Sequence, residues 1–210
     1  MMRRSLLAAA VALLILFAIA ACDSQQDVGK KPGCPSEQPA ALTNHEEFDI
    51  EMRTSMGKIT LHLAADNSPI AVGNFVALAS CGFYDDVIFH RIATMQDGTP
   101  FVIQGGDPLG TGKGGPGYLI DDEPVIGTYR RGTVAMARTS EPNSQGSQFF
   151  IVLSDAAAGP LEQARTYAIL GEVSAGMDTV DAISQVPLAG GTQPIDPVVI
   201  ESVSVTRTTP

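Results

Sequence analysis

The chain has 210 residues and a net charge of −10, with 23 acidic against 13 basic residues and no basic patch. That balance disfavours nucleic acid as a partner, and the excess acid reads more simply as a solubility feature. The histidines, His45, His62 and His90, lack metal-ligand spacing and no cysteine pair supplements them, so neither a metal centre nor any other cofactor is expected.

Residues 1–21 read as an export signal. Arg3 and Arg4 supply the positive start, and Leu6 to Ala21 is an unbroken run of 16 apolar and small residues. A membrane span needs about 20, so the run fits the hydrophobic region of a secretory signal. It ends in Ile19-Ala20-Ala21-Cys22, which resembles a bacterial lipobox and makes Cys22 the expected lipidation site. The alternative is an ordinary signal with Cys22 there by chance. Loss of Arg3 and Arg4 with the signal takes the net charge from −10 to −12. Acyl chains on Cys22 would hold the protein at a membrane of the bacterial envelope, facing the periplasm or the exterior.

Residues 22–44 follow as lipidated cysteine and flexible tether. Asp23 to Asn44 is rich in Gln, Lys, Pro, Gly and Ser and has no apolar periodicity, so it cannot offset the entropy of ordering. As a coil it reaches roughly 25 Å. Residues 45–210 are one domain by size. With Cys22 lipidated, Cys34 and Cys81 are the remaining cysteines. Export permits a disulfide between them; the alternative is a buried thiol at Cys81 and a tether thiol at Cys34.

Within the domain, Phe48 to Thr54 and Lys58 to Leu63 alternate apolar and polar residues around Ser55-Met56-Gly57, which predicts a β-hairpin. Ser68-Pro69 opens a helix, with Ser68 as N-cap, Val72, Phe75, Val76 and Ala79 on one stripe, and Gly82 as its stop. Short strands are expected at Val87 to Ile92, Phe101 to Gln104, Thr133 to Ala137, Gln148 to Leu153 and Tyr167 to Val173. A second helix is expected from Ala175 to Gln185, with Met177, Val180, Ala182 and Ile183 on its apolar side, and a closing strand at Val198 to Val205. Many short strands and two helices point to a mainly β fold, a closed or sandwiched antiparallel sheet with helices over its openings.

Two familiar signals fail in context. Gly110-Thr111-Gly112-Lys113-Gly114-Gly115 satisfies G-x-G-x-x-G, but Pro116-Gly117 follows at once where a helix is required. Ser147 lacks the G-x-S-x-G elbow of a hydrolase.

Two longer strings carry more. Phe89-His90-Arg91-Ile92 precedes Phe101-Val102-Ile103-Gln104-Gly105-Gly106-Asp107, and Met136-Ala137-Arg138 precedes Gly146-Ser147-Gln148-Phe149-Phe150-Ile151. In this order and spacing they resemble the FHR…F-x-x-QGGD and MA…SQFFI signatures of the cyclophilin family, over roughly Phe48 to Thr206. The resemblance implies a closed eight-stranded antiparallel β-barrel capped by two α-helices, with an active groove on its outside. It implies peptidyl-prolyl cis/trans isomerisation of exported proteins, assisting their folding, with proline-containing segments in extended or unfolded chains as partners and the protein a monomer. Arg91 matches the family's catalytic arginine, with Gln104 and Phe101 as further catalytic positions. Val102, Phe150 and Leu161 would form the proline pocket with Phe101, and Tyr167 its edge. Gln148, with Gln104, would hold Arg91 and the substrate carbonyl. Ala137 and the backbone of Arg138 and Thr139 would line the side where the residue before proline lies, and Gly110 the loop flanking it. Phe149 and Ile151 are expected in the core, and His90 is expected packed rather than catalytic.

Departures from the family pattern also bear on the site. No tryptophan is present, and Pro160 or a neighbour within Ala156 to Gln163 stands where the family often has one, which removes a support for tight binding of cyclosporin-like macrocycles. Tyr167 stands for a common histidine, Val102 for methionine, and Arg138 for asparagine, the last adding a charge beside the groove. A proline-peptide-binding module or holdase with little turnover is the alternative function, and a structural envelope protein a third.

Overall fold

The computed structural model describes residues 31–208. The expected signal peptide and the lipidation site Cys22 lie outside the described residues.

Alternation in the first two segments puts Ile50, Met52, Ile59, Leu61 and Leu63 on one fully buried face, and they form strands β1 (Glu47–Thr54) and β2 (Gly57–Ala64), paired antiparallel. Helix α1 (Pro69–Ser80) follows, then β3 (Val87–Ile88), β4 (Arg91–Thr94), β5 (Pro100–Gly105), β6 (Thr133–Met136) and β7 (Phe149–Val152). Helix α2 (Ala158–Ala164), strand β8 (Ile169–Ala175), helix α3 (Met177–Ser184) and strand β9 (Val199–Arg207) complete the chain. All nine strands belong to one curled antiparallel sheet in the order β3-β9-β1-β2-β8-β6-β7-β5-β4. Strand β3 at one end also meets the chain just beyond β5, next to the other end, at one bridge, Ile88 with Asp107.

The pleat sends successive side chains to opposite faces. On β7, Phe149 and Ile151 enter the main core with Phe75, Tyr84 and Phe89, whereas Phe150 and Val152 enter a smaller cluster with Val102, Ala135, Leu161 and Ile169. The second cluster lies on the other face of the sheet and becomes the floor of the site.

Several expectations are corrected. The strand expected over Val87 to Ile92 is two strands: β3 pairs with β9, the chain then changes partner, and β4 pairs with β5. Alternation reports which face a residue takes, not which strand it pairs with, so the break at Phe89-His90 is silent in the pattern. A third helix, α2, and a 3-10 turn at Asp155–Ala157 occupy the stretch around Pro160. Ala182, expected on the apolar side of α3, is exposed, and Val180 and Ile183 carry that side.

Ser68 sits at the N-cap of α1, but its Oγ makes no cap hydrogen bond and donates instead to the carbonyls of Asn67 and Ile169. The carboxylate of Glu123 takes over, accepting from Ile70 N and Ala71 N at 2.8 Å each. A carboxylate there also faces the positive end of the helix dipole.

Residues 31–44, read as part of a free tether, are docked on the domain. Cys34 and Cys81 form a disulfide. Lys31 Nζ donates to the carbonyls of Gly82 and Asp85, Leu42 N donates to Pro69 O at 3.1 Å, and Gln38 Oε1 accepts from Asp121 N at 2.7 Å. The segment lacks periodicity because it is held by point contacts, not by an amphipathic face.

Candidate active site

Strand register assembles the site. Arg91 on β4 faces Gln104 on β5, Gln104 faces Phe150 on β7, and Phe150 faces Ala135 on β6. Arg91 Nη1 donates to Gln104 Oε1 at 3.1 Å. A guanidinium only donates, so Gln104 must present its oxygen there, and its amide nitrogen turns to Gln148 Oε1 at 2.9 Å. Gln148 Nε2 in turn donates to Gly114 O at 2.9 Å. The three side chains form one relay whose direction is set by the cation at its head. Arg91 is half-buried, has no ion pair among the described residues, and lines a groove.

That groove has a volume of about 520 Å³. Its apolar side is made by Phe101, Val102, Phe150, Leu161 and Tyr167, and Gly110, Ala137 and Arg138 also line it. Phe150 and Tyr167 meet edge to face, with centroids 5.4 Å apart. Leu161 is brought in by α2, while Pro160 is exposed and does not line the groove. Of the residues expected in the site, two do not line the groove. Gln148 stands behind it through the relay, and Thr139 lines a smaller neighbouring hollow with Arg138, Ser140, Thr166 and Tyr167.

Arg138 does not place a free charge beside the groove. Its side chain is 9 % exposed and pairs with Asp122 Oδ2 at 2.9 Å, and its Nη2 donates to Glu141 O at 2.6 Å. The charge is spent inside the loop that carries Thr139, where it fixes the loop's shape.

The glycine-rich loop is organised by Asp107, which is 1 % exposed. Its carboxylate accepts from the N–H groups of Leu109, Thr111 and Gly112. Burial pushes the carboxyl up, but the backbone donors outweigh it and hold it below the ordinary carboxylate value. Glycine is required at both sides of this nest. A Cβ on Gly106, whose φ is +85°, would lie 2.4 Å from Ser147 O, and one on Gly114 would lie 2.0 Å from Asp107 Oδ1. The loop's donors are thus consumed by the chain's own anion, the physical reason that its G-x-G-x-x-G string is no phosphate site.

Residues that sequence reasoning left out of the site also line the groove: His90, Thr111, Gly112, Thr192 and Gln193. His90 is 5 % exposed, with neither ring nitrogen hydrogen-bonded. Burial lowers its pKa below the ordinary 6.5, Asp107 opposing the shift and Arg91 adding to it. Thr192 and Gln193 come from a connection between α3 and β9 that has no periodicity and so carries no signal of proximity to the site. Among the described residues no group of three or more His, Cys, Asp or Glu is placed to hold a metal.

The model of the cyclophilin type peptidyl-prolyl cis-trans isomerase/CLD family matches residues 48–205. The chain belongs to the cyclophilin-type peptidyl-prolyl cis-trans isomerase family. It is 38% identical over 180 residues to peptidyl-prolyl cis-trans isomerase B of Streptomyces anulatus, covering 76% of this chain and 97% of that one. It is also 38% identical over 167 residues to a probable peptidyl-prolyl cis-trans isomerase B of Mycobacterium tuberculosis, covering 71% of this chain, which spans half the length of that relative. A crystal structure of a Cryptosporidium parvum cyclophilin type isomerase superimposes with a TM-score of 0.67 at 33% identity, covering 79% of this chain and all of the other. A second structure from that organism, determined in the presence of the dipeptide Ala-Pro, gives a TM-score of 0.66 at 35% identity over 75% of this chain and 98% of the other.

Proposed function

We propose that this chain catalyses cis/trans rotation about X-Pro peptide bonds, and that Arg91 is the residue on which the rate depends. The observation that carries the proposal is an unpaired guanidinium, aimed by the Gln104–Gln148 relay, at the edge of an apolar groove. Amide resonance sets a barrier of about 18–20 kcal/mol to this rotation. Nothing covalent breaks, so the enzyme need only bind the twisted amide better than either planar form. Twisting localises a lone pair on the prolyl nitrogen, and a donor there acts on the transition state alone. Arg91 supplies that donor from a planar guanidinium whose N–H groups are held in a fixed fork. Phe101, Val102, Phe150 and Leu161 hold the ring, with Tyr167 at the rim. A millionfold acceleration needs about 8 kcal/mol, more than one hydrogen bond gives, so desolvation and ring binding must share it. The Ala-Pro dipeptide used with the Cryptosporidium protein fits the same class of ligand. Exchange NMR or a protease-coupled assay on an X-Pro peptide tests the reading: acceleration by the purified chain is expected, and binding without acceleration contradicts it.

The same reading takes the curled sheet as the family's closed barrel, supported by the Ile88–Asp107 bridge from β3 to the chain beyond β5. It also places the protein outside the cytoplasm as a lipoprotein. Arg3, Arg4, the Leu6 to Ala21 run and Cys22 support export and acylation. The Cys34–Cys81 disulfide suits an oxidising compartment. Fatty-acid labelling of the wild type but not of Cys22→Ser is expected, and equal labelling overturns the anchor.

A further inference from the structure

We propose that the hairpin formed by residues 187–195 is a substrate-reading element, in which Gln193, beside Thr192, binds the peptide backbone that follows proline. The inference rests on the isomerase reading and adds a substrate-binding residue to it.

The hairpin is built as a rigid rim. Leu188 and Pro194 form a bridge, Ala189 N donates to Gln193 O at 2.8 Å, and Ile195 N donates to Pro187 O at 2.9 Å. Gly190 and Gly191, with φ of +59° and +113°, make its turn, and Pro194 is buried beneath it. Strand β4 is the last in the sheet order, and the hairpin is pinned beside it by Ile92 N donating to Thr192 O at 2.7 Å. Crossing the site from this edge, one meets Thr192 and Gln193, then Arg91 on β4, Gln104 on β5, Phe150 on β7 and the end of β6 at Ala137.

Polarity along that path is the one that the family resemblance implies. The residue before proline lies at Ala137, the ring sits over Phe150 and Leu161, and the imide is beside Arg91. The chain leaving the proline then runs toward the hairpin. It offers backbone N–H and C=O groups whatever its side chains are. The Gln193 side chain offers one acceptor and two donors, and among the described residues neither it nor the Thr192 hydroxyl is hydrogen-bonded. Both residues are exposed, both line the groove, and neither carries charge. Such groups read main chain, which makes the recognition independent of sequence beyond proline.

The test compares a short peptide ending in a proline amide with the same peptide extended by two residues, on the full chain and on Gln193→Ala. In the wild type, extension should raise kcat/KM roughly three- to tenfold, the effect of about one hydrogen bond, mainly through KM because the contact is equal in ground and transition states. In Gln193→Ala the ratio of extended to short should fall toward one. Each ratio is internal to one protein, so partial misfolding of the variant does not mimic the result. N-methylation of the added amides should reduce the wild-type ratio likewise and the variant's ratio little. An unchanged ratio in Gln193→Ala overturns the inference while leaving the isomerase reading intact. A wild type that accelerates neither peptide overturns that reading and this inference with it.

Discussion

Arg91 and His90 are neighbours in sequence and opposites in treatment. Arg91 is half-buried with its donors directed by Gln104, and the relay ends at a backbone carbonyl that cannot titrate, so the guanidinium is aimed without being neutralised. His90 is buried without any partner, and burial holds its pKa below 6.5. A histidine whose folded pKa is depressed contributes stability that is fully present above the unfolded value and is lost as pH falls toward the folded one, because the unfolded chain takes up the proton first. Urea unfolding as a function of pH checks this: below about pH 6.5 the wild type should lose stability more steeply than His90→Gln, and parallel curves would contradict it. The residues Phe89 to Ile92, Gln104 to Asp107 and Gln148 to Ile151 were readable because each is a short contiguous string that resembles a family signature, even where, as at Phe89-His90, it crosses the end of a strand. The pairing that neutralises Arg138 was not, because Asp122 lies in another loop and nothing periodic joins them.

Among the elements, β1 and β2 could be read closely because one-sided burial imposes period 2 on their sequences, whereas α1, buried at five successive positions from Ala71 to Phe75, was marked by Ser68-Pro69 at its start and Gly82 past its end. What pattern could not give is the event at an element's end. Strand β3 hands over to β4 by changing partner, and the start of α1 is capped from residue 123 rather than from Ser68. The cap yields a direct expectation. Glu123→Ala leaves two N–H groups of the first helical turn without their acceptor and removes a charge that favours the helix dipole, at a cost of about 1–2 kcal/mol. Ser68→Ala should leave those N–H groups bonded, since the serine accepts from neither. Denaturant midpoints of the two variants decide it, and a Glu123→Ala variant as stable as wild type would remove the role.

At the scale of the molecule, the core faces inward and the groove is built on the opposite face of the same strands, so Phe149 and Phe150 serve different ends one residue apart. The segment 31–44 wraps this body and is stapled at Cys34 to Cys81, 47 residues away, at the C-terminal cap of α1. Composition could not predict that docking, because a few hydrogen bonds and one covalent link leave no trace in hydrophobic periodicity. The disulfide should contribute about 2–4 kcal/mol by restricting the unfolded chain. Reduction, or Cys34→Ser with Cys81→Ser, should therefore lower the melting temperature while the groove, formed by other elements, retains its peptide affinity. The account as a whole stands on the cation at the groove's edge. The most direct measurement is the exchange rate of an X-Pro peptide on Arg91→Ala, with its affinity measured in parallel. A large loss of kcat at nearly unchanged affinity is predicted, and turnover equal to the wild type would contradict the account.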